Sequence, residues 1–321
     1  MKAFEVSNPG IFTTIQDLGR PGYMKYGTPA SGVADSFSAQ VANLLVGNPP
    51  GAALLEITLF RLELLALNDL IIAVTGGNLS PNLNGKSLPM WQALALREGE
   101  RVAFRARKEG FRAYLAIQGG FSGREFLGSR SVFVRGLMGN VLQTGEILEI
   151  ANPVTQSIPF RKILQEMIPI FSNKNILRVI LGPQDDRFTQ KGMETFLSSA
   201  YRVNSQSDRM GYRLEGPTIE HLQGSDIISE PIARGAIQVP GDGLPILLLW
   251  DAQVSGGYTK IANVISADLD RVAQVMPGEN LRFQSVTLEE AHRALREEKL
   301  RLERIHKMVA GENCSGNTDK I

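Results

Sequence analysis

The chain has 321 residues, 34 Lys and Arg against 33 Asp and Glu (formal net charge +1), 43% hydrophobic residues, three His and one Cys. A length near two ordinary domains suffices for a large buried core, and the balanced charge excludes a disordered chain and a dedicated basic nucleic-acid binder. The single cysteine, Cys314, excludes an intramolecular disulfide, argues against thiolate metal sites and fits a reducing compartment.

The 32 glycines and 16 prolines fall between short apolar runs, which is the punctuation of a β-rich protein. After Lys2 no apolar leader develops, because Ser7, Asn8, Pro9 and Gly10 interrupt at once, so a cytoplasmic protein is expected. Strands are expected at 2–7, 54–59, 70–75, 101–104, 112–118, 146–150, 177–181, 246–249 and 281–284. Turns are expected at Asn84-Gly85, Glu109-Gly110 and Pro277-Gly278. The apolar stretches 62–74 and 244–250 are too short, or too interrupted by Glu63, Asn68 and Asp69, to span a bilayer.

A helix is expected at 36–46, with Asp35 as N-cap and Phe37, Val41, Leu44 and Leu45 on one stripe. A second is expected at 187–198, capped by Asp185 or Asp186. The longest, at 287–309, opens with a Thr287–Glu290 capping box. Its alternating charge and thin apolar stripe predict a solvated surface helix whose removal leaves the rest folded. Residues 91–104 and 270–283 echo each other, with Gly99, Glu100 and Phe104 matching Gly278, Glu279 and Phe283. With the length, that echo favours two similar β domains divided near 152–175.

Several chemistries are set aside. His221, His292 and His306 lack metal-ligand spacing, and neither a Gly-x-Ser-x-Gly elbow nor a Gly-x-Gly-x-x-Gly turn is present. The segment 80–87 is one residue short of a P-loop, but Leu88-Pro89 follows where a helix must begin, and Asn84-Gly85 reads as a hairpin.

Four polar loops remain. The first, 13–35, mixes Gln16, Asp17 and Arg20 with glycines, suited to closing on a polar ligand or to bracing by an Asp17–Arg20 pair. The second, 182–187, holds the adjacent Asp185 and Asp186. In the third, 207–216, Arg209 and Arg213 flank Gly211-Tyr212 and could clamp a carboxylate or phosphate, or Arg209 pairs with Asp208 at the surface. In the fourth, an apolar strand at 245–250 delivers Asp251, Gln253, Ser255, Gly256, Gly257 and Tyr258. Polar groups and bare amides at a strand end suit a pocket, and a bend also needs Gly-Gly.

These motifs, in this order, resemble a known family. They are Gln16-Asp17-Leu18-Gly19-Arg20-Pro21-Gly22-Tyr23, Ala42-Asn43 through Gly47-Asn48, Arg112 through Gly120, Leu127-Gly128-Ser129-Arg130, Ser207 through Leu214, Gly235 through Pro240, and Gly256-Gly257-Tyr258 through Asp268-Leu269. The chain is similar over about residues 1–290 to the carboxyltransferase subdomain C/D family, also called allophanate hydrolase subunit 2, whose bacterial members include 5-oxoprolinase C subunits and kinase-inhibitor antagonists.

The resemblance implies a mainly β fold with a few helices. Two tandem cyclophilin-like β-barrel domains are expected at 1–165 and 166–286, with a charged helix and polar tail at 287–321. It implies a non-autonomous component of an ATP-dependent complex that opens 5-oxoproline to glutamate, inactive alone. ATP is the co-substrate, and this chain carries neither metal ligands nor covalent biotin. The partners implied are a subunit-B-like protein of the carboxyltransferase subdomain A/B type, resembling the kinase inhibitor, and a subunit-A-like protein. Neither nucleic acid nor membrane is implied. The alternatives are a regulatory protein antagonising a kinase inhibitor, and a carboxyltransferase lobe of a biotin-dependent urea carboxylase. An unactivated lactam needs its carbonyl oxygen phosphorylated, so a site needs donors for phosphate and polar groups to place water. Gln16, Asp17 and Arg20 are assigned as catalytic, and Arg209, Gln238, Gln253, Gly256, Gly257 and Tyr258 as substrate-binding. The sequence departs from the family at Val254-Ser255 (usually Thr-Thr), Thr259 (usually Pro) and Pro231 (usually Gly).

Overall fold

A computed structural model describes residues 1–154, 160–171 and 175–311; Cys314 and the polar tail lie outside them, as does part of the expected dividing stretch. The first strands are β1 (Lys2–Pro9), β2 (Phe12–Gln16), β3 (Leu54–Thr58), β4 (Leu62–Ala66), β5 (Leu70–Asn78) and β6 (Pro81–Leu83), with helix α1 (Ser36–Leu45) after β2. They continue with β7 (Lys86–Ser87), β8 (Ala93–Leu96), β9 (Arg101–Phe104), β10 (Glu109–Ile117) and β11 (Ile147–Glu149). These strands form two antiparallel sheets, ordered β11-β1-β4-β9-β6-β7 and β2-β3-β10-β5-β8. Phe4, Val6, Leu64, Val102 and Phe104 of the first meet Leu55, Ile57, Ile72, Val74 and Leu115 of the second in one core.

Strand β10 shows why it reads as one continuous apolar run. Ala113, Leu115 and Ile117 face that core, while the alternate Tyr114 and Ala116 face outward under α1. Asp35 caps α1 as expected, accepting from Ser38 N at 2.8 Å and Ser38 Oγ at 2.7 Å. The Asn84-Gly85 turn joins β6 to β7 with both residues at positive φ, +50° and +82°, as a type I′ hairpin requires.

The second group comprises β12 (Asn175–Leu181), β13 (Tyr201–Val203), β14 (Gly211–Glu215), β15 (Asp226–Pro231) and β16 (Ala236–Gln238). It continues with β17 (Ile246–Leu248), β18 (Ser255–Tyr258), β19 (Lys260–Val264) and β20 (Asn280–Ser285). Helix α2 (Gln190–Ser198) follows β12, and α3 (Leu269–Val272) follows β19. Seven strands close a barrel in the order β12-β19-β16-β17-β14-β13-β20, sealed by the parallel pair of β12 and β20; β15 and β18 pair as a separate ribbon. Its interior is filled by Leu177, Val179, Tyr201, Leu214, Ile237, Leu247, Ile261 and Phe283, among others.

Three expectations are corrected. Where two barrels were expected, one is closed, and residues 2–149 pair as two sheets with no strand pair among the described residues joining their edges. Helix α2 begins at Gln190, capped by Thr189 accepting from Gly192 N, not by Asp185 or Asp186. Asp185–Arg187 form a separate 3-10 turn, and Phe188, extended, buried in the barrel core and with its ring 4.8 Å from His221, breaks the chain between that turn and α2. The echo between 91–104 and 270–283 is a turn rather than a mark of duplication, because it occurs three times. At Gly99-Glu100, Gly145-Glu146 and Gly278-Glu279 the glycine has φ of +83°, +81° and +94°. In each, the glutamate carboxylate accepts from the amide three residues back, at 2.8, 2.8 and 3.0 Å. Two of the three lie in the first 154 residues.

Helix α4 (Leu288–Ala310) has the expected capping box, with Thr287 and Glu290 exchanging both bonds. It lies on the surface, but its stripe is not idle. Ile305 and Val309 are buried with Phe37, Val41 and Leu45 of α1, and Ala291 and Ala294 pack on Ile265 beside the barrel.

Candidate functional site

The first polar loop is built as a brace. Asp17 Oδ1 accepts from Gly19 N (2.8 Å), Ser129 Oγ (2.6 Å) and Ser131 Oγ (2.6 Å), and Oδ2 accepts from Arg130 N (2.6 Å). Gln16 is fully buried and donates to Thr14 Oγ1 and Val132 O, both at 3.0 Å. Arg20, also fully buried, donates to Phe126 O and Ser131 O. Burial pushes its pKa down, against the opposing charges of Asp17 and Asp251. The motif at 16–20 therefore clasps the motif at 127–130, and no Asp17–Arg20 ion pair forms among the described residues. Gly19 is required here, since a Cβ would stand 2.5 Å from Ala30 O where the loop folds back.

Beside this brace, the two groups of strands meet over a cleft of about 310 Å³ lined by Thr58, Arg112, Val132, Arg135, Arg209 and Asp251, among others. Its floor is ionic. Glu56, in the middle of β3 and 1% exposed, accepts from Ala34 N (2.6 Å), Tyr114 Oη (3.1 Å) and Arg209 Nη1, and lies 3.7 Å from Arg112 Nε. Arg209 also donates to Asp251 (2.9 Å) and to Gly32 O (2.5 Å). Burial works against the Arg209 charge, but Glu56 and Asp251 outweigh it and its pKa is raised. Burial, then the charge of Glu56, holds the Tyr114 phenol well above its ordinary range, so it stays a neutral donor. Arg112 Nη1 donates to Tyr212 Oη (3.2 Å) and Ala273 O (2.5 Å). At the mouth Arg135 pairs with Asp208 at 2.7 Å.

Two polar atoms in this lining are buried without a hydrogen-bond partner, Arg112 Nε and Thr58 Oγ1. A buried donor or hydroxyl left unmade costs about 1–3 kcal/mol. Both residues line the cleft, so two unmade polar groups lie just beneath its surface, Arg112 Nε turned to Glu56.

The assigned substrate-binding residues divide between places. Arg209 lines the cleft. Gln238, Gly256, Gly257 and Tyr258 lie instead where the β15–β18 ribbon meets the barrel, and Gln238 Nε2 donates to Tyr258 O at 3.4 Å. Gln253 is exposed outside both. None of Glu56, Thr58 and Arg112 was assigned to a site from sequence, and Arg112 was named only as the start of the 112–120 motif. The available signal was a charge inside an apolar strand, at Leu55-Glu56-Ile57 and Phe111-Arg112-Ala113, because a charge buried there must have a partner. Among the described residues no group of three or more His, Cys, Asp or Glu could hold a metal ion, and no helix is long and apolar enough to cross a membrane.

Residues 26–285 match the family described as "Carboxyltransferase domain, subdomain A and B", a label that differs from the subdomain C/D of the resemblance. The chain is 33% identical to the 5-oxoprolinase C subunit of Escherichia coli over 313 residues, 96% of this chain and 99% of that one. It is 34% identical to the 5-oxoprolinase C subunit of Haemophilus influenzae over 304 residues, 94% and 96% of the two chains. The crystal structure of the Kluyveromyces lactis urea carboxylase superposes with a TM-score of 0.88 at 31% identity, covering 94% of this chain but 29% of that larger one.

Proposed function

The chain belongs to the carboxyltransferase-domain family, and from that premise we propose that it works as the C subunit of an ATP-dependent 5-oxoprolinase complex. The observation that carries this reading is the end-to-end match to two proteins named as 5-oxoprolinase C subunits. The complex would couple ATP hydrolysis to opening of 5-oxoproline, with a subunit-A-like and a subunit-B-like partner. Since the A and B label attaches to this chain, the partner is defined by its role and not by that label. The division into two tandem cyclophilin-like domains at 165/166 belongs to the same proposal. It is supported by strand pairing that stays within 2–149 or within 175–285.

Chemically, the γ-phosphoryl passes to the lactam carbonyl oxygen and ADP leaves. Water adds to the activated carbon, the ring C–N bond breaks to give an acyl phosphate, and a second water releases glutamate and phosphate. Arg112 and Thr58, which line the cleft, are the residues suited to hold the developing phosphoryl or carbonyl oxygen. Glu56 and Asp251 fix Arg209 beside them. Gln16, Asp17 and Arg20 act as positioning residues, holding the 126–132 segment that forms one wall.

The test is reconstitution of the chain with its two partners, assayed for glutamate release from 5-oxoproline and ATP. Release confined to the three-part mixture is expected. Full release by the two partners without this chain would overturn the proposal. The likeness to the urea carboxylase structure favours a second reading, a carboxyltransferase lobe. It requires affinity for a biotinylated carrier and no glutamate formation.

A further inference from the structure

The second polar loop and the end of β19 meet at a place that the proposed chemistry leaves unused. Lys260 is 5% exposed, and its ammonium is paired with Glu230 Oε1. Gln184 Nε2 donates to that same oxygen at 2.8 Å, while Gln184 Oε1 accepts from Lys260 N at 3.2 Å. Two barrel side chains thus converge on one carboxylate oxygen. The approach is tight: a Cβ on Gly182 would stand 2.0 Å from Lys260 O, so only glycine lets the Gly182-Pro183-Gln184 turn come so close to β19.

The carboxylate they hold belongs to a different kind of element. Glu230 lies on the β15–β18 ribbon, in which no residue of either strand is buried and Ile228 is 93% exposed. A two-stranded ribbon without a packed face has little stability of its own. The ladder slips at both flanks of the contact, between Asp226 and Glu230 in the ribbon and between Ile237 and Gln238 opposite Lys260. Such irregularities re-aim side chains, and here Glu230 reaches the Lys260 ammonium while Gln238 Nε2 donates to Tyr258 O at 3.4 Å. Next to them Gly256 has no room for a side chain, since a Cβ would stand 2.6 Å from Ile232 Cδ1 and 2.8 Å from Gln238 Nε2.

A buried ammonium must keep an anionic partner, but nothing requires that the partner be Glu230. Exchange of one carboxylate for another conserves the charge and both hydrogen bonds, and it returns Glu230 to water. We propose that Lys260 and Gln184 form a cradle for the carboxylate of a small ligand, with Glu230 as an internal surrogate that leaves when the ligand enters. The Lys260 and Gln184 contacts hold the Glu230 carboxyl below its usual range, so the surrogate is ionised at neutral pH. The inference rests on the 5-oxoprolinase reading only for the choice of probe, 5-oxoproline, which carries such a carboxylate.

The experiment is equilibrium binding and thermal melting of the full chain with 5-oxoproline, with acetate, and with 2-pyrrolidinone, the lactam without a carboxylate. Glu230→Gln removes the surrogate and should bind 5-oxoproline about tenfold or more tightly than the unaltered chain. Lys260→Met should lose that binding, and Gln184→Leu, which leaves the ammonium paired, should weaken it. 2-Pyrrolidinone should bind none of them differently. If Glu230→Gln responds to neither 5-oxoproline nor acetate, or if folded Lys260→Met and Gln184→Leu bind as the unaltered chain does, the cradle is refuted. Carboxylate binding to Glu230→Gln without glutamate formation by the assembled complex supports the cradle and removes the oxoprolinase reading. Glutamate formation without any carboxylate response of Glu230→Gln does the reverse.

Discussion

At the scale of single residues, the determining feature is a set of charges placed inside strands. Arg209 bridges Glu56 from the first sheets and Asp251 from the barrel, with Gly32 O as a third acceptor. Removing one partner of such a network leaves uncompensated buried charge. Arg209→Met should therefore lose about 3–5 kcal/mol, read from the urea unfolding midpoint. Arg209→Lys should recover only part, because an ammonium cannot reproduce a planar fork across three acceptors. Gln16 and Arg20, assigned from sequence as catalytic, have no exposed surface. Gln16→Ala and Arg20→Ala should each lower the melting temperature as well as activity, because each frees a bond that holds the 126–132 wall. A full loss of activity with unchanged melting would return them to direct chemistry.

At the scale of elements, helix α1 and helix α4 are joined by acids. Asp270 accepts from Ser36 N (2.8 Å) and Phe37 N (2.9 Å) at the start of α1, beside Asp35 and Glu298 of α4. Burial, then the charge of Asp270, pushes Asp35 up to about 7; burial, then the charge of Glu298, raises Asp270. Both folded values lie above the ordinary 3.8. The stability these groups contribute is thus complete below pH ~4 and is lost as pH rises through about 7. Melting temperature should fall across that window, and Asp270→Asn should flatten the fall while lowering stability at its acid end. Helix α4 itself, expected to be dispensable, buries Ile305 and Val309 against α1 and covers Ile265. At about 1.5–3 kcal/mol for each large apolar side chain buried, truncation after residue 286 should lower the denaturation midpoint substantially. An unchanged midpoint would restore the view of a merely solvated helix.

At the scale of the whole molecule, the cleft exists because the two groups of strands are joined by ionic contacts rather than by a shared sheet. Gln274 of the barrel side accepts from Phe111 N and Arg112 N and donates to Asp35, so the same residues that fix α1 also fix Arg112. Gln274→Leu leaves two buried amides and one carboxylate without that partner. It should therefore couple lower stability to loss of complex activity, measured by melting and by glutamate release from the reconstituted mixture.

Much of this was legible in sequence. All nine expected strands occur within about three residues of their places, since alternation and continuous apolar runs are local properties. Asp35, Thr287 with Glu290, and Asn84-Gly85 do as caps and turns what their chemistry requires within four residues. The other eleven strands, β2, β4, β6, β7, β8, β13, β14, β15, β16, β18 and β19, were missed because runs of two to six residues are too brief to outweigh the glycines and charges around them. The site was legible in parts and not in assembly. Sequence determined which segments carry polar groups, and even that 16–20 and 127–130 belong to one motif set. Only the tertiary structure decided that these clasp each other, that Arg209 meets Glu56 across 153 residues, and that Glu230 occupies Lys260. Such pairings depend on which strands become neighbours, and that is fixed by the burial of whole faces and not by the spacing of the residues that meet.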